Sequence, residues 1–171
     1  MSVPATDIRA FAREGAEAEN IWALGALYSF LGTADETNAY LACQVRGPDG
    51  LAIPVHFHDS EDEAFYVAAG EVTIFLGGEQ RRLSAGGFAH APRGQEHAFR
   101  LETPDAVLLL LVSPGPKHEA MFREMGEPAA AYDIPPEPTS PPDPQQLGAL
   151  AARHGTHMTG PPPTRESEPQ R

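Results

Sequence analysis

The sequence predicts an all-β domain. Short runs rich in Val, Ile, Phe and Tyr follow one another over residues 38–113, and Gly- or Pro-containing turns separate them. Strong turn signals recur at short intervals, as Gly-Gly at 77–78 and 86–87 and as Pro-Arg-Gly at 92–94. No long helical pattern interrupts this run, which argues against alternating helices and strands. A sandwich or barrel of short strands is therefore expected.

The individual strands are delimited by these turns. One or two strands are expected in 21–31 around Gly25, and a turn is expected over 32–37. The later strands are expected, in chain order, at 38–46, 51–58, 63–69, 71–76, 80–83, 88–91, 97–101 and 106–112.

The flanks of this region are expected to be shorter, partly helical segments. The N-terminal arm has apolar residues at helical spacing behind Thr6 or Asp7 as a cap. A small barrel has exposed sheet edges, and the arm is expected to cover those of a second copy in a homodimer. The predicted organisation is an arm at 1–20, a barrel at 21–133 ending in a helix over 117–125, a Pro-rich linker at 134–144, a C-terminal helix and extension at 145–160, and a disordered tail at 161–171.

The composition excludes several classes of function. The chain has 171 residues, which suits one domain with tails, and its formal net charge of −12 argues against nucleic acid and anionic membranes as partners. Its single cysteine, Cys43, lies in an apolar run and is expected to be buried. The sequence opens without an apolar signal core, and no apolar run reaches the ~18 residues that span a membrane. A cytoplasmic protein is expected.

Two histidines and a carboxylate lie in one short stretch. His56 and His58 alternate on a predicted strand, so their side chains point to the same face. The polar segment at 59–62 can turn the chain and bring Glu63 beside them. Glu61 has the same strand parity as Glu63, so alternation alone does not choose between the two carboxylates. Two imidazoles and one carboxylate form half of a metal site.

A second stretch supplies another histidine. The Pro-Arg-Gly at 92–94 predicts a turn between two short strands, and His97 begins the second of them. If this hairpin packs beside the first, His97 joins the other ligands around one divalent transition metal per chain. Such a set leaves one or two positions open for water, dioxygen or substrate, which is typical of a catalytic metal. The donor types accept Ni, Co, Mn, Fe, Cu or Zn.

The two stretches resemble the two sequence motifs of the cupin superfamily. The residues that match the first motif are Gly50, His56, His58, Glu63 and Gly70. Those that match the second are Gly86, Pro92, Gly94 and His97. Leu101 replaces the closing Asn of the second motif, a position that is not a metal ligand. The resemblance covers about residues 38–113. It implies a single-domain jelly-roll β-barrel of six to eight strands with the metal inside, and it favours Glu63 over Glu61.

A narrower resemblance concerns the activity. EDEAFYVAAGEVTIFLGGE (61–79) and PPDPQQLGALAARHG (141–155) resemble segments of the single-barrel bacterial quercetin 2,3-dioxygenase group, which opens the flavonol ring with dioxygen and releases carbon monoxide. The resemblance implies a dioxygenase acting on a flavonol or related enolizable phenolic or polyketide, with Glu63 as both metal ligand and base. Similar cupins are non-redox cyclases or isomerases. A non-catalytic small-molecule-binding cupin is the remaining alternative.

The candidates for the substrate pocket are residues of the predicted barrel strands. They are His90, Tyr40, Phe65, Phe75 and Phe99. His90 alternates with Phe88 and by parity can face the interior, as a core histidine or as a substrate contact. His118, His154 and His157 are expected on the surface.

Overall fold

The structure, a computed structural model, describes residues 8–138, 140 and 142–165. Twelve strands and three short helices make up its regular elements. The strands are β1 Glu19–Ala23, β2 Ala26–Gly32, β3 Leu41–Arg46, β4 Val55–His58, β5 Asp62–Ala69, β6 Glu71–Leu76, β7 Glu79–Ser84, β8 Phe88–Ala91, β9 His97–Leu101, β10 Val107–Ser113, β11 Glu127–Pro128 and β12 Thr156–Gly160. The helices are α1 Ala34–Thr37, α2 Pro116–Met125 and α3 Pro144–Arg153.

The strands form two antiparallel sheets. The larger sheet has the order β11-β1-β2-β3-β10-β5-β8, and the smaller has the order β12-β4-β9-β6-β7. Strands that follow each other along the chain cross repeatedly between the sheets, as a jelly roll requires. The prediction of an all-β jelly roll with short helices is therefore confirmed.

The core lies between the two sheets. Strand β3 alternates buried and half-buried residues, and its inward residues Leu41, Cys43 and Val45 are fully buried. Facing strands add Phe65 and Phe99, whose ring centroids lie 6.5 Å apart. Burial of Cys43 confirms its prediction as a small core residue and raises the pKa of its thiol well above the usual value.

One predicted strand begins later than expected. Residues 50–53 still bond to β9, since Ile53 N donates to Phe99 O at 3.2 Å and Leu101 N donates to Leu51 O at 2.8 Å. Pro54 has no N–H to continue a ladder, so regular pairing begins only at Val55.

The predicted turn at 32–37 is a short helix instead. The Thr33 hydroxyl accepts from Glu36 N, and the Glu36 carboxylate accepts from Thr33 N, which is a capping box around α1. The Thr-x-x-Glu spacing was a signal for this helix. The helix predicted for the N-terminal arm is wrong within the described residues, because 8–14 are irregular and only a 3-10 turn, Gly15–Glu17, follows. Its expected caps, Thr6 and Asp7, lie outside the described residues.

The arm packs against its own chain. The Arg13 guanidinium pairs with the Glu36 carboxylate at 2.5 Å, and Phe11 stacks under Arg13 with 4.6 Å from the guanidinium carbon to the ring centroid. The homodimer stays a prediction. Of the described helices, α2 and α3 have ten residues each, and none is long and apolar enough to cross a membrane.

The C-terminal extension is part of the barrel. After α3, strand β12 pairs with β4, with Thr156 opposite His58 and Met158 opposite His56. The segment at 161–165 also lies against the barrel, since the Arg165 guanidinium bonds to Asp49 and to Glu102. These contacts disagree with the disorder expected for that segment, while 166–171 lie outside the described residues.

Candidate metal centre

Two strands of the smaller sheet and one strand of the larger sheet bring the predicted ligands together. His56 on β4 lies directly opposite His97 on β9, and His58 lies two residues along β4 on the same face. Glu63 lies on β5, where its inward parity places it across the core from the histidines. The four side chains are 2–7% exposed.

The donor atoms of these residues converge on one point. One ligand atom from each of His56, His58, Glu63 and His97 lies within 4.8 Å of all the others. The Glu63 Oε2 atom is 3.0 Å from Nε2 of His58 and 2.9 Å from Nε2 of His97. The His56 and His97 rings are 4.3 Å apart between centroids. This spacing suits four ligands around a single ion.

The other ring nitrogens are held by oxygen atoms. Nδ1 of His56 lies 2.8 Å from the Pro54 carbonyl, and Nδ1 of His97 lies 2.8 Å from the Gln95 carbonyl. A carbonyl only accepts, so both Nδ1 atoms carry protons. Nδ1 of His58 lies 2.9 Å from the Thr156 hydroxyl, which can accept in the same way. With Nδ1 held in this way, Nε2 of His58 and of His97 is the ring nitrogen turned toward Glu63 and the centre, the orientation of a metal-ligating histidine.

This arrangement fits a divalent cation. A bound metal would replace the Nε2 protons that bond to Glu63, because imidazole ligates a metal only in its deprotonated form. Burial first, and then the neighbouring His97 and His58, lower the pKa of His56 to about 3, which keeps that ring neutral. Burial alone would raise the pKa of Glu63, but hydrogen bonds from His58 and His97 hold it well below the usual value. Burial would lower the pKa of His97, but the hydrogen bond and charge of Glu63 raise it. The set offered to a metal is three imidazole nitrogens and one carboxylate oxygen.

An apolar cavity adjoins the donor atoms. Its volume is about 30 Å³, enough for one or two water molecules. His56, Glu63 and His118 supply polar groups to the wall. The remaining lining residues are mostly apolar, and they are Leu24, Tyr28, Ile53, Pro54, Phe99, Leu110, Met121, Phe122, Met125, Thr156 and Met158.

The motif-bearing part of the chain matches a known domain family. The family described as "Cupin domain" matches residues 44–113, the segment that holds all four donor residues. This chain carries a cupin domain. The recognition made from the two sequence motifs is confirmed.

A curated protein is similar to part of this chain. The chain is similar to quercetin 2,3-dioxygenase of Bacillus subtilis, at 30% identity over 99 residues, which are 58% of this chain and 29% of that protein. The chain therefore spans less than a third of the length of that curated relative.

Solved structures show the same fold at low identity. An RmlC-like cupin from Shewanella frigidimarina superposes with a TM-score of 0.56 at 22% identity, over 65% of this chain and 96% of that one. The polyketide cyclase RemF from Streptomyces resistomycificus superposes with a TM-score of 0.52 at 17% identity, over 61% of this chain and 79% of that one. Both are evidence for the cupin fold alone.

Glu61, the alternative to Glu63 as a metal ligand, bonds to the start of a helix. Glu61 is buried and accepts a hydrogen bond of 3.1 Å from the backbone N–H of Lys117, in the first turn of α2. It therefore satisfies a free donor of the helix start. Its carboxylate lies with His58 and His118 in a separate group, while Glu63 lies in the cluster of three histidines.

The prediction that His118 lies on the surface is wrong. It is not on the surface but 3% exposed, and its ring packs 4.9 Å from those of His58 and Phe122. Burial lowers its pKa to about 3, and its Nδ1 has no hydrogen-bond partner. A signal was available, because His118, Met121 and Met125 share one apolar helix face at spacings of three and four.

The candidates for the substrate pocket separate into two groups. Phe99 lines the cavity, and the Phe65 ring packs 5.7 Å from that of His97. His90 is exposed on β8, so the prediction of an inward side chain is wrong. Tyr40 is 43% exposed and outside the cavity. Phe75 lies on the outer face of the smaller sheet, with its ring 5.6 Å from the Arg100 guanidinium carbon.

The two remaining histidines lie near the surface, as expected. Nε2 of His154 pairs with Glu124 at 2.6 Å, and Nε2 of His157 pairs with Asp59 at 2.9 Å. Both carboxylates are substantially exposed, so these pairs contribute little to stability. Neither histidine belongs to the metal-competent groups found among the described residues.

Proposed function

We propose that this protein is a metal-dependent dioxygenase that acts on a flavonol or a related enolizable, hydroxylated aromatic molecule. The observation that carries the proposal is the convergence of His56, His58, Glu63 and His97 beside an apolar cavity. The partial similarity to quercetin 2,3-dioxygenase supports the choice of reaction. One divalent transition metal per chain would be held by these four residues, and when bound it supplies a Lewis-acid and electron-transfer centre.

Glu63 is the residue that can move a proton. Its carboxylate is buried, ionised and adjacent to the cavity. Among the described residues that line the cavity, Glu63 is the one carboxylate that a substrate hydroxyl can meet. Proton transfer to Glu63 would produce the enolate, the electron-rich form that reacts with dioxygen.

His118 supplies a second polar contact to the substrate. Its imidazole lines the cavity but is not among the four converging donor residues. Its Nδ1 makes no hydrogen bond, with the Glu61 carboxylate 3.9 Å away, so this imidazole keeps capacity to bond to a ligand hydroxyl or carbonyl. Phe99 and Phe122 form apolar wall beside it, so an aromatic ring can be packed while water is excluded. The arrangement orients a hydroxylated aromatic with its polar edge toward Glu63.

The test is oxygen consumption with defined metals. Protein stripped with a chelator is loaded separately with Ni, Co, Mn, Fe, Cu or Zn and mixed with a panel of flavonols. We expect dioxygen uptake and substrate loss in equal amounts with at least one metal. The control pair is His56→Ala, which should abolish uptake, and His90→Ala, which should not, because His90 is exposed outside the cavity. Absence of uptake with every metal contradicts the proposal.

A second candidate is a non-redox cyclase or isomerase. His118 favours it, because this buried imidazole and the Glu63 carboxylate line the same cavity and provide two proton-handling groups. Such a reaction moves protons without consuming dioxygen. Conversion of a hydroxylated polyketide under strictly anaerobic conditions would select this candidate over the dioxygenase.

A further inference from the structure

A larger pocket lies directly outside the cavity at the metal centre. Its volume is about 450 Å³, and Leu24 and Met125 line both spaces. On the outer side the wall consists of Trp22 and its neighbours, the end of α2 and the chain that follows it. Those wall residues are Trp22, Ala23, Gly25, Gly126, Glu127, Pro135, Pro136, Glu137 and Pro138.

We propose that this outer pocket binds a planar, polyhydroxylated, uncharged aromatic molecule, and that Leu24 and Met125 form the barrier through which it passes to the metal centre. The inference rests on the substrate class of the proposed function, but it requires no particular reaction.

The volumes of the inner cavity and the outer pocket imply that a substrate binds in two steps. The inner cavity, at about 30 Å³, has room for water but not for a three-ring aromatic. The outer pocket, at about 450 Å³, falls within the range of ligand pockets, roughly 300–1,000 Å³. A substrate of flavonol size therefore binds first outside, and reaches Glu63 only when the barrier side chains move.

The lining of the outer pocket selects the ligand chemistry. The half-buried Trp22 indole and three prolines offer flat apolar surfaces for stacking. The indole is fixed, because its Nε1–H donates to the Asp133 carbonyl at 2.8 Å. The exposed carboxylates of Glu127 and Glu137 accept from phenolic hydroxyls and repel anions. The lining holds no Lys or Arg to favour a carboxylated aromatic.

The backbone around the barrier is held in place. A Cβ on Gly126 would lie 2.6 Å from the Trp22 carbonyl oxygen, so the end of α2 is in close contact with β1. Strand β11 then pairs with β1 and sets Glu127 opposite Trp22. Since these two segments are tied together, the passage opens by rotation of side chains. Met125 suits this role, because its unbranched thioether side chain adopts many conformations.

The wall of the inner cavity is rich in methionine and can change its packing. The chain has four methionines, and all three beyond Met1 line the inner cavity, at positions 121, 125 and 158. Methionine fills irregular space and re-packs around different ligands. The inner wall can therefore enlarge around an aromatic ring once the ring has passed Leu24.

Leu24 allows a direct test of the barrier. Its backbone is in the left-handed region, with φ of 50°, where glycine is favoured. Leu24→Gly thus removes the barrier side chain and relieves the backbone at once. Leu24→Asn is the matched control, because Asn tolerates this conformation and keeps a side chain of comparable length.

Two measurements locate the ligand and follow its entry. Trp22 is the only tryptophan of the chain, so quenching of its fluorescence by quercetin, corrected for absorption, reports binding to metal-free protein. Quercetin and a sulfonated flavonol are compared on Glu137→Lys and on the control Glu79→Lys, which lies outside the pocket. Stopped-flow absorbance of the flavonol, with metal-loaded protein and without dioxygen, then resolves a fast binding phase and a slower entry phase.

The expected results concern each part of the proposal. In Glu137→Lys, the ratio of the affinity for the sulfonated flavonol to the affinity for quercetin should rise about threefold, because an exposed negative charge is replaced by a positive one. In Glu79→Lys this ratio should not change. Leu24→Gly and Met125→Ala should accelerate the slow phase about fivefold or more, equivalent to about 1 kcal/mol of barrier, while Leu24→Asn should leave it unchanged.

Two results overturn the proposal. One is an unchanged binding ratio in Glu137→Lys, and the other is a slow phase that Leu24→Gly leaves unaltered. Both measurements are made without turnover. A failed oxygen-uptake assay therefore contradicts the proposed reaction and leaves this inference standing, whereas an unaltered slow phase in an active dioxygenase contradicts only the inference.

Discussion

Strand β9 carries a different buried polar cluster on each of its two faces. The inward face presents His97 to Glu63, beside a cavity. The outward face presents Arg100, 1% exposed, whose guanidinium pairs with Glu102 at 2.7 Å. Both clusters place a carboxylate among nitrogen donors, and both are removed from solvent. They differ in the kind of nitrogen group that surrounds the carboxylate.

The outward cluster is closed. Glu102 accepts from Arg100, from the Thr73 hydroxyl at 2.5 Å and from Arg165 at 3.3 Å. Burial would raise the pKa of Glu102, but these hydrogen bonds lower it. The Glu102 carboxylate is thus satisfied by groups of the protein itself, with no further ligand.

The inward cluster is open. Nδ1 of each imidazole is held by an oxygen atom outside the cluster, so the opposite edge of each ring and the Glu63 carboxylate face one point. Imidazoles can exchange their Nε2 protons for a metal, so this cluster can accept a cation from outside the chain. A buried carboxylate among imidazoles therefore indicates a binding site, whereas one paired with guanidinium groups indicates a structural role.

The largest expected effect comes from removing a donor of the open cluster. Glu63→Gln and His97→Ala should each reduce metal content and kcat/KM by more than the ~10- to 100-fold that changes around a ligand produce. Circular dichroism should be unchanged, because the deleted group holds the metal and not the sheet. Elemental analysis and kinetics make the measurement, with His90→Ala as the exposed-histidine control. Full metal content in Glu63→Gln would remove that residue from the ligand set.

The next effect tests the closed cluster. Arg100→Met leaves the Glu102 carboxylate with too few cations, and should lower the free energy of unfolding by about 2–4 kcal/mol in urea. Metal affinity should be retained, since Arg100 is on the opposite face of β9. The double variant Arg100→Met with Glu102→Leu should recover much of the loss, while Arg81→Met on the exposed β7 should change stability by less than about 0.5 kcal/mol. A loss of metal from Arg100→Met alone would show that the two faces are coupled.

Removal of the metal should have an intermediate effect. Metal at about 100 times its Kd stabilises the protein that binds it by about 2.7 kcal/mol, which corresponds to a rise in Tm of about 5–10 °C for a chain of this size. Calorimetry with and without a chelator measures it. His56→Ala should show no such rise, and a rise of equal size in that variant would place the metal elsewhere.

The smallest expected effect concerns the support of one ligand. Thr156→Val removes the oxygen that lies 2.9 Å from Nδ1 of His58, and should weaken metal binding about tenfold because the ring loses its fixed orientation. Thr159→Val is the control on the same strand, since its exposed hydroxyl is 3.4 Å from a carbonyl. Metal titration with a competing chelator compares them. Equal affinities would mean that packing alone orients His58.

Much of the fold could be predicted because most of the strands are recognisable from the local sequence. The alternation in β3 and the turns that flank β6 and β9 depend only on residues close in sequence. Strand β12 could not be predicted in the same way. Its pairing with β4 joins residues 98 positions apart, and no local pattern specifies that partner.

The same division applies to the site. Residue types and spacing alone determined that two histidines share one face of β4, and motif spacing pointed to Glu63 and His97. Strand parity is identical for Glu61 and Glu63, so only the motif spacing chose between them in the sequence, and the tertiary structure shows how their surroundings differ. Glu61 meets the start of α2, whereas Glu63 meets the histidines. The physical reason is that periodicity fixes the direction of a side chain relative to its own element, while its surroundings depend on which distant element packs against that face. The neighbours of His118 and the outer pocket lined by Leu24 and Met125 belong to this second kind, and so they emerge only from the folded chain.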